Sequence, residues 1–192
     1  RETLAAGIMS LVPWKPGRIL VDPMCGSGTM LIEAAMMGIN MAPGLNREFI
    51  SEKWRTLDKK IWWDTRKDAF DKIDNDVEFK IYGYDIDEWS VRNAIDNAFL
   101  NNTKIKVKHG NCHIINQLNM MFDVILANIN RNILLEDMPI FKTALKGDGI
   151  LILSGFYADD VPLLLEKAKT LKLCQNRLIE NHKWCCLVLQ PE

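Results

Sequence analysis

Apolar residues recur along the chain with two periods. Short apolar runs of strand type occupy residues 18–22, with Ile19-Leu20-Val21 at the centre, and residues 80–84, 122–127 and 149–153. Residues 104–108 alternate polar and apolar, as a half-buried strand does. Helical spacing fills the intervals. Residues 28–38 place Met30, Leu31, Ala34, Ala35 and Met37 at helical spacing, with Gly38 as the stop. Residues 88–101 do the same with Val91, Ala94, Ile95, Ala98 and Phe99. Further helices are expected over 133–145 and 158–171, and a short one over 3–11 is ended by Pro13 and Pro16-Gly17. Pro139 removes a helical hydrogen bond, so a break or restart is expected there. Residues 177–180 and 184–189 read as a closing antiparallel pair.

Residues 40–78 follow neither period and read as an insertion. They carry Pro43-Gly44 and Trp54, Trp62 and Trp63 amid many charges, with helices expected over 51–54 and 64–73. The tryptophans suit a binding platform, or anchors onto the domain body; the anchor reading is the expectation. The rest alternates strand and helix. That order predicts one α/β domain over residues 1–192: a Rossmann-like, mostly parallel seven-stranded sheet, helices on both faces and an antiparallel final strand. Ligands of such sheets sit at the carboxyl ends of the strands, near the switch point. The rule points to Asp22, Asp85, Asn111 and Asn128.

Hydrophobic residues are 48% and charged residues 26%, as in an ordinary globular protein, and the net charge is -1. The balance lacks a basic nucleic-acid footprint, so an RNA substrate would need positive surface from a partner domain. No apolar run reaches the roughly 18 residues of a membrane helix. The chain starts with Arg1, shows no secretory signal and reads as a piece of something longer or as one with its leader trimmed. Its five cysteines, Cys25, Cys112, Cys174, Cys185 and Cys186, match no zinc spacing. They are expected as free thiols in a reducing cytoplasm.

The strongest local signal is Asp22-Pro23-Met24-Cys25-Gly26-Ser27-Gly28-Thr29. Gly26 and Gly28 allow a tight turn and a close ligand approach. The following helix offers free N–H groups to an anion. A phosphate-binding P-loop would need a Gly-Lys pair, which is missing. A dinucleotide site would have a third glycine where Leu31 stands. A plain turn is the alternative. Asp85, with Ile86 beside it, ends the next strand and can accept from two ribose hydroxyls; Asp85 or Asp87 could instead cap a helix. Asn111-Cys112 stands where an adenine amino group would be bound, or makes a simple turn. Asn128 and Asn130 follow a buried strand and could orient an amine nucleophile. The competing reading makes Asn130 or Asn132 a helix cap. His109, His113 and His182 form no Ser-His-Asp or metal pattern, and no metal is expected.

Two resemblances follow from these residues. Residues 1–85 resemble the catalytic domain of the 23S rRNA guanine-N2 methyltransferases that carry a THUMP module. The stretches that carry this are Arg1-Glu2-Thr3-Leu4-Ala5-Ala6, the glycine-rich turn and Asn40-Met41-Ala42-Pro43-Gly44. That family has Asn-Pro-Pro-Tyr where this chain has Asn128-Ile129-Asn130-Arg131. From about residue 86 onward the chain resembles the ribosomal protein L11 methyltransferases. Ala127-Asn128-Ile129-Asn130-Arg131-Asn132-Ile133-Leu134 and Leu153-Ser154-Gly155-Phe156-Tyr157 carry that likeness.

The resemblances imply a class I methyltransferase fold with S-adenosyl-L-methionine as cofactor. They imply cofactor contacts from Asp22, Met24, Cys25, Gly26, Ser27, Gly28, Thr29, Asp85, Ile86, Asn111, Cys112 and Asn128, and catalytic roles for Asn128 and Asn130. Substrates would be 23S rRNA or ribosomal protein L11, in the cytoplasm, with the families' recognition domains lacking here. They also imply a fusion of two related halves, made in the laboratory or by natural recombination, joined near residues 83–90, with an imperfectly packed junction. The alternatives are an inert chimeric scaffold and an NAD oxidoreductase, which Leu31 opposes.

Overall fold

The computed structural model describes residues 2–192; Arg1, which opens one resembling stretch, lies outside them. The strands are β1 (Ile19–Asp22), β2 (Lys80–Asp85), β3 (Lys106–His109), β4 (Phe122–Asn128), β5 (Leu145–Tyr157), β6 (Leu173–Asn181) and β7 (Trp184–Pro191). The helices are α1 (Glu2–Met9), α2 (Thr29–Gly38), α3 (Lys59–Asp71), α4 (Glu88–Leu100), α5 (Ile114–Gln117), α6 (Arg131–Ala144) and α7 (Val161–Thr170). They form one seven-stranded sheet in the order β3-β2-β1-β4-β5-β7-β6. The pairings from β3 through β5 are parallel. β7 runs antiparallel to both β5 and β6. Chain order reverses between β1 and β4, so the switch point lies at the ends of these two strands.

Two apolar layers flank the sheet, because successive strand residues point to opposite faces. On one side Val21 and Ile125 pack with Leu134, Met138 and Phe141 of α6. On the other, Leu20, Val124 and Leu126 pack with Ile8 and Met9 of α1 and Leu31 of α2.

The structure departs from the sequence expectations at four points. α6 is unbroken, with Pro139 inside it. Leu134 and Met138 before the proline and Phe141 after it are fully buried, and this packing holds both sides of the missing bond in line. The short α5 was not expected; it has only four residues, too few for a period to show. The tryptophans do not anchor the insertion to the domain body. Trp62 stacks on Phe49 within the insertion at 5.6 Å, while Trp54 and Trp63 are 57% and 72% exposed. Arg66 ties the insertion together by donating to the carbonyls of Leu45 and Arg47 and to Glu52. α3 also starts earlier than expected, because the Asp58 carboxylate caps it by accepting from the Lys60 N–H at 2.9 Å.

Candidate functional site

The glycine-rich turn leaves β1 at the switch point and is tied to β2 by two hydrogen bonds. Cys25 N–H donates to the Tyr84 carbonyl at 2.9 Å. Gly26 N–H donates to Asp85 Oδ2 at 2.8 Å, and the other oxygen of Asp85 accepts from Asp87 N–H at 3.0 Å. Gly26 and Gly28 have φ of 53° and 78°, the left-handed region that favours glycine. A Cβ on Gly28 would also stand 3.0 Å from the Ala94 Cβ of α4. Gly28 caps α2 without any side-chain acceptor, so first-turn N–H groups of α2 stay available to a ligand.

Leu31 is fully buried, and β2 makes room for it. A Cβ on Gly83 would fall 2.5 Å from Leu31 Cδ1 and 3.1 Å from Cys25 Sγ. The glycine that brings helix and strand together therefore lies on the strand.

Asp22 is 2% exposed and its Oδ1 accepts from Met24 N–H at 3.0 Å. Burial, reinforced by the nearby Asp85, pushes its carboxyl up to about 7, against the opposing Met24 hydrogen bond. Burial likewise raises the Cys25 and Cys112 thiols, which favours their protonated form. Asp22, Met24, Cys25, Gly26, Ser27, Thr29 and Asn128 line one cavity of about 240 Å³.

Asn128 ends β4 and is exposed. β5 passes close behind it at Gly155, whose φ is 89°. A Cβ there would stand 2.9 Å from Asn128 Oδ1 and from Ile129 N, so only glycine fits. Asn130 does not line the cavity: its Oδ1 caps α6, accepting from the N–H groups of Asn132 and Ile133 at 3.1 and 3.3 Å. Arg131 beside it donates to Asp160 at 2.9 Å.

Ile86, Asn111 and Cys112 lie at the ends of β2 and β3, outside that cavity. Gly110 N–H donates to the Asp85 carbonyl at 2.9 Å and keeps these ends adjacent. Ile86 is exposed, and Asn111 Oδ1 accepts from His113 N–H at 3.1 Å. Asp87, not Asp85, caps α4. Ligand-type atoms of Cys112, His113 and Asp137 come within 4.8 Å of one another.

Sequence reasoning assigned no role to α1, yet Leu4, Ala5 and Ile8 line the cavity with Met30. The only sequence sign was that Leu4 and Ala5 stand in a resembling stretch. A second groove of about 810 Å³ adjoins the first, sharing Ser27 and Thr29 and running past Met36, Met41, Arg47 and Phe49. No described helix is long and apolar enough to cross a membrane.

Comparison with known proteins adds two family matches. The profile of the RMKL-like methyltransferase domain matches residues 1–129, and that of ribosomal protein L11 methyltransferase (PrmA) matches residues 78–192. YpsC of Bacillus subtilis (strain 168), named as an RNA methyltransferase, is 46% identical over 98 residues, covering 51% of this chain and 26% of YpsC. Ribosomal protein L11 methyltransferase of Porphyromonas gingivalis is 42% identical over 109 residues, covering 56% of this chain and 37% of that protein. The crystal structure of SMU.472, described as a methyltransferase and complexed with SAH, superposes with a TM-score of 0.79 at 27% identity. It covers 99% of this chain, which spans 52% of that one. The chain thus spans about half or less of each of these relatives.

Proposed function

From the premise that the chain belongs to the RMKL-like methyltransferase domain family, and over its second part to the ribosomal protein L11 methyltransferase family, we propose a cofactor site at the glycine-rich turn. The cofactor is S-adenosyl-L-methionine, which supplies an electrophilic methyl group. One observation carries the reading: Asp22, the turn residues Met24 to Ser27 and Thr29, and Asn128 face one cavity at the switch point.

The residues present fit such a group. Gly26 has no heavy atom within 4 Å of a built Cβ, so its backbone offers open space to a ligand. The first-turn N–H groups of α2 suit a carboxylate, and the buried Asp22 suits an ammonium. Asp85 keeps lone pairs for ribose hydroxyls beside the two N–H groups it accepts. Ile86 offers an exposed apolar side chain, with Asn111 and Cys112 near it, at the adenine end. Asn128 acts as the positioning group for an acceptor amine: its carboxamide oxygen takes a hydrogen bond from the N–H and aims the lone pair. The relatives' names point to RNA or protein L11 as the acceptor.

We read the two-family pattern as a fusion with its join between residues 83 and 90. Titration calorimetry with S-adenosylhomocysteine tests the site. Saturable heat with one site per chain is expected. A flat titration at millimolar ligand on folded protein would leave the inert-scaffold reading standing.

A further inference from the structure

Cys112, His113 and Asp137 bring three kinds of donor to one spot. Cys112 and His113 lie in the turn between β3 and α5, and Asp137 stands in the middle of α6. The Asn111 carboxamide oxygen fixes that turn by accepting from the His113 N–H at 3.1 Å. Cys112 and the fully buried Ile115 of α5 belong to the same core cluster as Leu134 and Met138, which flank Asp137 on α6. Packing therefore sets the thiol beside the carboxylate. The thiol, imidazole and carboxylate donor atoms all lie within 4.8 Å of one another.

Asp137 supplies a second, independent observation. It is only 8% exposed, and no Lys, Arg or His pairs with it among the described residues. Its polar neighbour is the Cys112 thiol. A carboxylate held out of water is costly unless a cation or a metal compensates it. The His113 ring is also uncommitted among the described residues, whereas His109 Nε2 donates to the Ile86 carbonyl at 2.9 Å.

We propose that Cys112 Sγ, a ring nitrogen of His113 and a carboxylate oxygen of Asp137 bind a divalent ion of the zinc type. The inference goes beyond the cofactor site and is tested without any cofactor. The donor set selects the metal: thiolate, imidazole and carboxylate together suit zinc, whereas magnesium and calcium take oxygen alone. As the zinc–sulfur bond forms, the Cys112 proton leaves to solvent, one per ion bound. Thiolate and carboxylate then balance the two positive charges, so the buried group is neutral overall. Zinc bonds of about 2.0–2.3 Å place tetrahedral donors roughly 3.3–3.8 Å apart, so a spread of 4.8 Å calls for a closure of about 1 Å. His113 can supply it by turning its ring, because it is exposed. Its exposed side also gives the ion a way in and leaves the fourth position to water. The bound ion would tie the end of β3 to α6. Cysteine and histidine spacing pointed to no metal, because the third donor, Asp137, lies 25 residues beyond Cys112 and only the fold brings it there.

Cobalt(II) is the probe, titrated into the reduced, metal-stripped 192-residue chain and followed by absorbance. One ion per chain is expected, with a near-ultraviolet thiolate-to-cobalt charge-transfer band and the intense visible bands of a four-coordinate ion. Zinc should displace it. C112S should abolish the charge-transfer band. H113N and D137N should each weaken binding at least about tenfold, the low end for losing even an outer partner of a ligand. Zinc should raise the melting temperature of the parent chain and not that of H113N. Should D137N unfold by circular dichroism, H113N decides alone, since its side chain is exposed. A parent chain without the charge-transfer band overturns the proposal. So does a band that survives C112S, which would put the ion on another thiol, and so does equal affinity in H113N.

Discussion

Asp22 is a carboxyl group held where a carboxylate is costly. Its ordinary value of 3.8 rises to about 7 because water is excluded and Asp85 lies close by. The folded form keeps its proton over a range where the unfolded chain has lost it. Stability therefore falls as pH rises from about 4 to about 7, and the loss persists above 7. Asp22→Asn keeps an oxygen for Met24 N–H and removes the charge. It should raise the melting temperature more at pH 8 than at pH 5, worth on the order of 1–4 kcal/mol at the upper pH. The same change should weaken S-adenosylhomocysteine binding, and in the parent chain that affinity should increase from pH 6 to pH 8. A pH-independent affinity would show that Asp22 does not meet the cofactor's ammonium. Asp85→Ala removes an acceptor from Gly26 N–H and from the ligand, and calorimetry should register a loss of about 1–3 kcal/mol in binding. Asn130→Ala should lower stability by about 1 kcal/mol as a lost cap and leave cofactor affinity unchanged.

At the scale of elements, the contact between α2 and β2 sets the shape of the turn. Gly83 accepts Leu31 with no room for a methyl group. Gly83→Ala should cost about 1–3 kcal/mol in urea unfolding, as overpacking does, and Gly83→Ala/Leu31→Val should recover part of it. This pairing was not legible in the sequence. A leucine in the third-glycine position reads as an argument against close helix–strand packing, and only the parallel register of β1 with β2 brings Gly83 opposite it. Pro139 carries a similar lesson. Local chemistry predicts a break, but three buried side chains on its helix outweigh one missing hydrogen bond. The exposed Trp63 and Trp54 differ again, because no sequence period says whether an insertion folds onto the body or onto itself.

Across the whole molecule, the two family matches overlap from residue 78 to residue 129 rather than meeting at a point. The sheet explains how such a chain can hold together. β1, from the first match, lies between β2 and β4, and both apolar layers mix residues from either side of the proposed join. Gly28 against Ala94, and Asn97 donating to the Ser27 carbonyl at 3.1 Å, are contacts across it. Neither residues 1–85 nor residues 86–192 should fold alone, since each would expose one edge of the shared core. Circular dichroism and tryptophan fluorescence should follow one coincident thermal transition in the intact chain. Two separate transitions would show that the halves behave as independent units.

From residue order alone came the alternation of strand and helix, the strand-end position of Asp22, Asp85, Asn111 and Asn128, and the glycine-rich turn. Each depends on local spacing, which the backbone imposes within a few residues. Tertiary structure decided which of them meet. It gathered Asp22, Asn128 and α1, a helix expected but given no part in the site, around one cavity, left Asn130 to cap a helix, and set Gly83 beneath Leu31 and Gly155 behind Asn128. Those outcomes rest on strand register and on the fit of atoms far apart in the chain, and no local pattern encodes either.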